Sequence, residues 1–406
     1  FPSDKGLGRY KPGTKIGIRP KHAMVRAGDQ PTTRRVRPGD LYAGLPGARA
    51  HGADFAVEAL AAGAVAVLTD PAGADRLPDG TPTLVVDDPR RVLGAVSAEV
   101  YGHPARRLTM IGVTGTQGKT TTTRLLEGGL AAAGHVAAVV GTVGTRIAGE
   151  DVKTALTTPE APDLHGLFAL MVERGVEVCA MEVSSHALHQ GRTDHLRFAA
   201  AGFTNLTQDH LDYHGTMEHY ADAKALLFEA LDADATAVLN GDDDAAARMG
   251  RGCKAKVVLT HVITDPQVTD EFCSPGEPVA IARVRQMTAA SSRATFTGPW
   301  GELETTLPLV GPHNLSNAIQ AAVLVHAVTG MDAGTLRTAL ECCPPVPGRL
   351  EPVNVDWTGV PLPPQAQPHT TRAGKRGGEW TAMPTVLVDY AHTPDALENV
   401  ARSLRE

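Results

Sequence analysis

Gly112-Val113-Thr114-Gly115-Thr116-Gln117-Gly118-Lys119-Thr120-Thr121 is the stretch on which the reading of this 406-residue chain turns. It follows an apolar run, Leu108–Val113, that reads as a strand, and it opens a run, Thr120–Ala133, that reads as a helix. Glycines let a backbone wrap closely around phosphates, and successive amides at a helix N-terminus turn their positive ends toward them. Lys119 supplies a mobile cation for β- and γ-phosphates, and the Thr120 hydroxyl suits Mg²⁺. A strict phosphate loop of this kind has glycine at 113, where this chain has Val113; Gly112 and Gly115 are expected to frame the loop instead. The expectation is a nucleotide triphosphate seated at the end of a parallel sheet.

Outward from the loop, further apolar runs at Val136–Val140, Val178–Val183, Ala199–Asn205 and Ala235–Asn240 alternate with helical patterns at Leu164–Arg174 and Met217–Leu231. Near-continuous apolar strands are what a sheet covered on both faces requires. Residues 262–308 read as less regular, and a helix returns at Asn314–Val328. Before the loop, Gly39–Gly44 reads as a strand entered from a turn. A helix at Phe55–Ala62 and strands at Val65–Leu68 and Thr83–Val86 complete a small α/β unit ending near Pro104. Residues 1–37 are basic and Pro/Gly-rich, a solvated arm or a patch for an anionic ligand. Asp356 to Pro384, with five prolines and four glycines, reads as a flexible insertion. Thr385–Val388 is then a strand leading into Asp389-Tyr390-Ala391-His392, with a helix from about Pro394. The chain stops roughly one βα unit later at Glu406, so an incomplete third domain is expected.

Composition narrows the function class. Apolar residues at 42% and charged residues at 20% describe a soluble globular chain. A net charge of −7 argues against a general nucleic-acid binder. No apolar run of membrane-spanning length and no signal peptide are evident. Five cysteines without CxxC spacing point to reduced thiols rather than disulfides or zinc.

Chemistry-bearing residues gather after two of the strands. Met181-Glu182-Val183-Ser184-Ser185-His186 ends one of them, where open α/β sheets bind ligands. Glu182 is a hard oxygen ligand for Mg²⁺ or, alternatively, a helix cap. Thr204-Asn205-Leu206 and Asp209-His210-Leu211-Asp212-Tyr213-His214 end the next strand with more ionisable groups than packing alone explains. Lys224 stands on the following helix among Ala221, Ala223, Ala225 and Phe228. It is open to two readings: a solvated charge, or a half-buried amine of lowered pKa.

Together with Thr157-Thr158-Pro159-Glu160 and Val388-Asp389-Tyr390-Ala391-His392, these motifs resemble the Mur ligases of peptidoglycan synthesis, the MurE type in particular, from about Arg34 to Glu406 outside the 356–384 insertion. The resemblance implies three α/β domains: a UDP-binding domain over 1–105, a phosphate-loop ATP-binding domain over 106–347, and an incomplete C-terminal ligase domain over 348–406. It implies an ATP- and Mg²⁺-dependent ligase. Such an enzyme adds a diamino acid, diaminopimelate or lysine, to the D-glutamate of UDP-N-acetylmuramoyl-L-alanyl-D-glutamate through an acyl phosphate. Gly115, Thr116, Gln117, Gly118, Lys119, Thr120 and Thr121 then hold ATP, with Asn314 and Asn317 on the adenine side. Arg349, Asp389 and His392 reach the nucleotide from the C-terminal region. Thr33, Thr157, Thr158, Ser184, Gln190 and Arg192 hold the UDP-muramoyl-dipeptide. The catalytic set is Lys119, Glu182, His210 and Lys224. Mg²⁺ falls to Thr120, Glu182, His210 and a CO₂-derived carbamate on Lys224.

Two departures from the family pattern stand out. Thr32-Thr33-Arg34 replaces an Asp-Ser-Arg near the uridine, and the Asp-Asn-Pro-Arg segment that grips the incoming diamino acid is absent. The resemblance also implies a cytoplasmic monomer that handles small molecules, with no nucleic-acid or membrane partner. A folylpolyglutamate synthetase-like ligase and a non-catalytic nucleotide or UDP-sugar binder are the competing readings.

Overall fold

The computed structural model describes residues 25–28, 36–47, 50–154, 156–268, 278–288 and 291–343, with short stretches between 351 and 401. Two sheets carry it. The first has four parallel strands in the order β1 (Val25–Gly28), β2 (Leu41–Gly44), β3 (Ala66–Thr69) and β4 (Thr83–Val85). Helix α1 (Ala56–Ala61), the single turn α2 (Pro71–Ala74) and α3 (Pro89–Tyr101) accompany it. Leu41, Ala43 and Leu68 pack toward Leu93 and Val100 of α3. Tyr42 and Val67, one residue out of phase, pack with Ala56 and Ala59 of α1. That is the period-2 alternation of a strand buried on both faces.

The second sheet has eleven strands, and its centre is β5 (Thr109–Thr114). Helix α4 (Lys119–Ala132) leaves β5, and the chain then runs through β6 (Ala137–Gly141), the hairpin strands β7 (Gly144–Ile147) and β8 (Glu150–Val152), α5 (Ala161–Glu173) and β9 (Val178–Glu182). On the other side of β5 come α6 (Ser185–His189), β10 (Ala200–Phe203), α7 (Leu211–His214), α8 (Met217–Glu229), β11 (Thr236–Asn240), α9 (Ala246–Gly250) and β12 (Lys256–Ile263). The strand order around the centre is β11-β10-β5-β9-β6, all parallel. β5 is therefore the point where the connections reverse direction, the position at which open α/β sheets bind ligands.

Alternation along the central strands builds two cores. Ile111, Val139, Val178 and Ala180 face α4 and the long α10 (Pro312–Thr329), where they meet Leu126, Leu130, Ile319 and Leu324. Met110, Val140, Cys179 and Met181 face α5 and α8, where they meet Phe168, Met171, Leu227 and Phe228. Each side of the sheet is thus closed by helices whose apolar faces it needs.

The sequence-derived elements fall within a few residues of those observed, with informative exceptions. Residues 262–308, read as irregular, hold β13 (Val279–Met287), β14 (Ser292–Gly298) and β15 (Gly301–Leu307). β13 runs parallel to β12, and β14 and β15 continue antiparallel to the sheet edge. Their half-buried alternation, seen clearly in β15, is weaker than the apolar runs of buried parallel strands. The β7–β8 hairpin and α11 (Ala333–Glu341) were not anticipated. Gly112 does not frame the phosphate loop. It lies inside β5 with Phe198 packed over it, and the loop proper begins at Gly115. The 356–384 insertion lies outside the described residues except for Lys375–Arg376 paired with Glu379–Trp380. Farther on, Leu387–Val388 pairs antiparallel with Glu351–Pro352, which leads the chain to Asp389. Among the described residues no helix is long and apolar enough to cross a membrane.

Candidate active site

At the C-terminal ends of β5, β9, β6 and β10 lies a cavity of about 360 Å³. Thr116 to Thr121 of the loop line it, together with Thr142, Thr157, Glu182, Ser184, Asp209 and His210. Asn314 and Asn317 of α10 close one side, and Asp389 and Ala391 reach it from the C-terminal region. Most of the residues expected from sequence to serve nucleotide and metal are thus brought together. Gly115, Lys224, Thr158, Gln190 and Arg192 do not line the cavity. Thr33, Arg349 and His392 lie outside the described residues.

The loop is braced from β10. Asn205 accepts the Gln117 N–H at 2.9 Å through Oδ1, and the Thr116 N–H donates to the Asn205 carbonyl at 2.9 Å. Thr204 donates its hydroxyl to the Gln117 carbonyl. Gly118 adopts φ +83 just before α4, and a Cβ there would collide with Asn317 Oδ1. Only glycine satisfies both the left-handed backbone and the close approach of α10.

Two lysine side chains meet at one oxygen of this loop. Lys119 Nζ donates to the Gly115 carbonyl at 2.9 Å and to the Thr116 carbonyl at 2.8 Å. Lys224 Nζ, fully buried, donates to the same Gly115 carbonyl at 2.8 Å and sits 4.3 Å from the Tyr220 ring centroid. Burial holds the Lys224 pKa well below that of an ordinary lysine, and the Lys119 charge pushes it the same way against the smaller pull of Asp209. Of the two readings of Lys224, the buried amine is the one observed.

Glu182 is 1% exposed, yet fully engaged. Thr120 donates its hydroxyl to Oε1 at 2.9 Å, and the Thr142 N–H donates to the same oxygen at 3.0 Å. The Thr142 hydroxyl donates to Oε2 at 2.9 Å. Glu182 therefore caps no helix of its own; its carboxylate spans the turn after β6 and the start of α4. Three hydrogen bonds to its charged form offset the cost of burying it. A Cβ on Gly141 would collide with Oε1, so the carboxylate lies directly against the end of β6.

The histidines form a second cluster beside this one. His210 has φ +52, and its ring stands edge-on to His186 with centroids 4.9 Å apart. Burial lowers the His210 pKa, favouring the neutral ring that can ligate a metal. His214 accepts or donates a hydrogen bond with Ser185 Oγ at 2.9 Å, and burial lowers its pKa to about 4. Among the described residues no three His, Cys, Asp or Glu side chains converge on a point that could hold a metal.

The expected substrate residues are joined to one another. Thr158 Oγ1 donates to the Glu182 carbonyl at 2.8 Å and accepts the Ser184 N–H at 3.0 Å. Arg192 donates to the Thr158 carbonyl and to Gln190 Oε1, and pairs with Glu160 at 3.0 Å. Glu160 also meets Arg90 of α3 at 3.3 Å, a link between the two sheets' helices. Sequence reasoning missed Thr142, Asn240, His313 and Ser316, which also line the cavity. Thr142 and Asn240 are single residues at strand ends with no local motif to mark them, while His313 and Ser316 sit beside the expected Asn314 and Asn317 near the start of α10.

Comparison with known proteins places this geometry. Residues 113–325 match the family model of the Mur ligase middle domain, and residues 32–101 match that of the Mur ligase family catalytic domain. The chain is 44% identical over 378 residues to UDP-N-acetylmuramoyl-L-alanyl-D-glutamate--2,6-diaminopimelate ligase of Streptomyces coelicolor, covering 92% of this chain and 67% of that protein. It is 41% identical over 379 residues to the protein of the same name from Parasynechococcus marenigrum, covering 92% and 69%. A solved structure of a UDP-N-acetylmuramoyl-L-alanyl-D-glutamate--2,6-diaminopimelate ligase superposes with a TM-score of 0.66 at 26% identity, over 92% of this chain and 69% of that one.

The closeness of Glu182 to the end of β6 is open to test. Gly141→Ala is expected to displace the carboxylate and weaken Mg²⁺-dependent ATP binding by about tenfold, the scale of a lost hydrogen bond to a charged group. Binding in EDTA should be unchanged. Calorimetric titration of ATP with and without Mg²⁺ measures both, and an unaltered Mg²⁺ dependence would show that Glu182 is not held by that contact.

Proposed function

Because this chain belongs to the Mur ligase family of ATP-dependent ligases of peptidoglycan synthesis, we propose that it joins a diamino acid to the D-glutamate side-chain carboxylate of UDP-N-acetylmuramoyl-L-alanyl-D-glutamate. Diaminopimelate is the amine named in the relatives, and lysine is the second choice. The observation that carries the reading is the single cavity shared by Lys119, Thr120 and Glu182 with Thr157 and Ser184. Nucleotide-side and substrate-side groups open onto one volume. The family relationship also favours this reading over a folate-linked ligase or a non-catalytic binder.

Three functional regions are part of the proposal: UDP binding up to about 105, ATP binding to about 347, and a ligase region beyond. Residues 115–121 hold the triphosphate through loop amides and the α4 N-terminus. On binding, Lys119 exchanges its two carbonyl contacts for phosphate oxygens. Asn314 and Asn317, bonded to each other at 3.4 Å, take the adenine side, and Asp389 approaches from the C-terminal region. Thr157 and Ser184 face the substrate from the cavity wall, and Thr158, Gln190 and Arg192, hydrogen-bonded behind them, complete the substrate side.

The donor set fits Mg²⁺, a hard cation carried on one or two protein oxygens plus substrate phosphates rather than in an all-protein cage. Thr120, Glu182, His210 and carbamylated Lys224 would hold it. Bound there, it would neutralise negative charge on the triphosphate and the substrate carboxylate. That charge is the central obstacle. Two unit charges at about 4 Å repel by several kcal/mol at intermediate dielectric. With both partners held in the cavity, a carboxylate oxygen of D-glutamate attacks the γ-phosphorus and ADP leaves. A neutral amine then attacks the acyl carbon, loses its proton, and phosphate leaves. Holding the partners together accounts for up to about 7–11 kcal/mol of barrier.

Lys224 is suited to carbamylation because burial disfavours its charged form, and only a neutral amine attacks CO₂. In ¹³C-bicarbonate the chain should give a carbamate resonance by NMR that fades as the pH is lowered and the amine protonates. Lys224→Ala should lose that resonance and its ligase activity, with partial rescue by short-chain carboxylates. Normal activity without rescue would remove Lys224 from the mechanism.

Lys119→Ala removes the mobile cation and should weaken ATP binding by about 1.5–3 kcal/mol, with loss of phosphate release. Unchanged affinity in a direct titration would refute the phosphate-loop assignment.

A further inference from the structure

We infer that Thr142 is a positioning residue that transmits the hydrogen-bond polarity of Glu182 to Thr157, so that Thr157 meets the substrate as an acceptor. This deepens the reading above and rests on it for the substrate side.

The argument begins from donor counting. A threonine hydroxyl has one proton and two lone pairs, and a carboxylate can only accept. Thr142 Oγ1 lies 2.9 Å from Glu182 Oε2 and 3.0 Å from Thr157 Oγ1. Its single proton goes to the carboxylate, so in the second contact Thr157 must donate. The chain of bonds then runs one way, from Thr157 to Thr142 to Glu182. Thr157, whose proton is committed, turns only lone pairs toward the cavity it lines. It is therefore matched to an N–H or O–H of the substrate, such as a peptide amide, and mismatched to a carboxylate oxygen.

The same residue fixes the plane of Glu182. The Thr142 amide donates to Oε1 and its hydroxyl to Oε2, so one residue holds both oxygens of the carboxylate. β6 lies directly beside β9, with Val140 paired to Met181, which places Thr142 beside the end of the strand that carries Glu182. Thr157 does not touch Glu182 in the hydrogen-bond network, yet it is linked to it through Thr142. Occupancy on the substrate side and order on the metal side should consequently be coupled.

The test uses the full chain with two probes: the ATP analogue AMP-PNP titrated across a Mg²⁺ series, and UDP-N-acetylmuramoyl-L-alanyl-D-glutamate. Thr142→Val should raise the Mg²⁺ concentration for half-maximal nucleotide binding by about tenfold, the scale of one lost bond to a charged group, and weaken the muramoyl-dipeptide. Nucleotide binding in EDTA should not change, and Thr142→Ser should restore both to within about twofold. Thr157→Val, which leaves every bond to Glu182 in place, should also raise the Mg²⁺ requirement. The double variant should bind the muramoyl-dipeptide no more weakly than Thr157→Val alone, because Thr142 acts on the substrate only through the Thr157 hydroxyl.

A wild-type Mg²⁺ requirement in Thr142→Val, or a failure of Thr142→Ser to restore it, overturns the proposal. So do effects of the two valine variants that simply multiply. If Thr142→Val does not fold, Thr157→Val decides the matter, because an unchanged Mg²⁺ requirement in it breaks the chain. Wild-type protein that binds Mg²⁺-nucleotide but not the muramoyl-dipeptide would instead overturn the substrate assignment, and the Mg²⁺ series would still judge Thr142.

Discussion

A buried carboxylate with no room to move sets the architecture of this site. Glu182 gives up its hydration at the end of β9, a loss that is tolerable only if the protein supplies donors in return. It does so from two other elements: Thr120 at the start of α4 and Thr142 just beyond β6. Those donors converge only if β5, β9 and β6 run parallel, side by side, with their C-terminal ends level. The order β5-β9-β6 meets that demand, and Gly141 meets the remaining one by leaving space for the carboxylate.

The other side of β5 is arranged around the phosphate loop's own backbone. Thr204 and Asn205 at the end of β10 hold Gln117 and Thr116 in place through the loop's own backbone. Gly115 then carries Lys119 and Lys224 on one carbonyl oxygen. Two full positive charges so close would repel, and burial, with the Lys119 charge beside it, holds the Lys224 pKa well below that of an ordinary lysine. A single backbone oxygen thus links the glycine-rich loop to the buried amine of α8.

Much of this was legible in the sequence because the signals were local. A strand, a glycine-bounded turn and a GKTT helix start lie within fourteen consecutive residues, Leu108 to Thr121. Glu182 and His210 were visible because each ends or follows an unusually apolar run. Lys224 was ambiguous: its neighbours allowed burial, but only the packing of α8 against the sheet decides it. Thr142 was invisible, since its importance comes from strand adjacency between β6 and β9, which are separated by a hairpin and a helix. The edge strands β13–β15 were missed because one face of each is less buried and their apolar signal is diluted. Arg192 is held by Gln190, Glu160 and the Thr158 carbonyl, tertiary partners that no motif announces.

The central claim is that Glu182 couples the phosphate loop to Mg²⁺. Glu182→Gln keeps the shape and most of the hydrogen-bonding capacity while removing the charge, so it isolates that claim. Calorimetric titration of AMP-PNP into wild type and variant, with Mg²⁺ and in EDTA, is the direct measurement. The account predicts equal affinities in EDTA and a gain on adding Mg²⁺ that is present in wild type and lost in the variant. A variant that gains as much affinity from Mg²⁺ as wild type would contradict it.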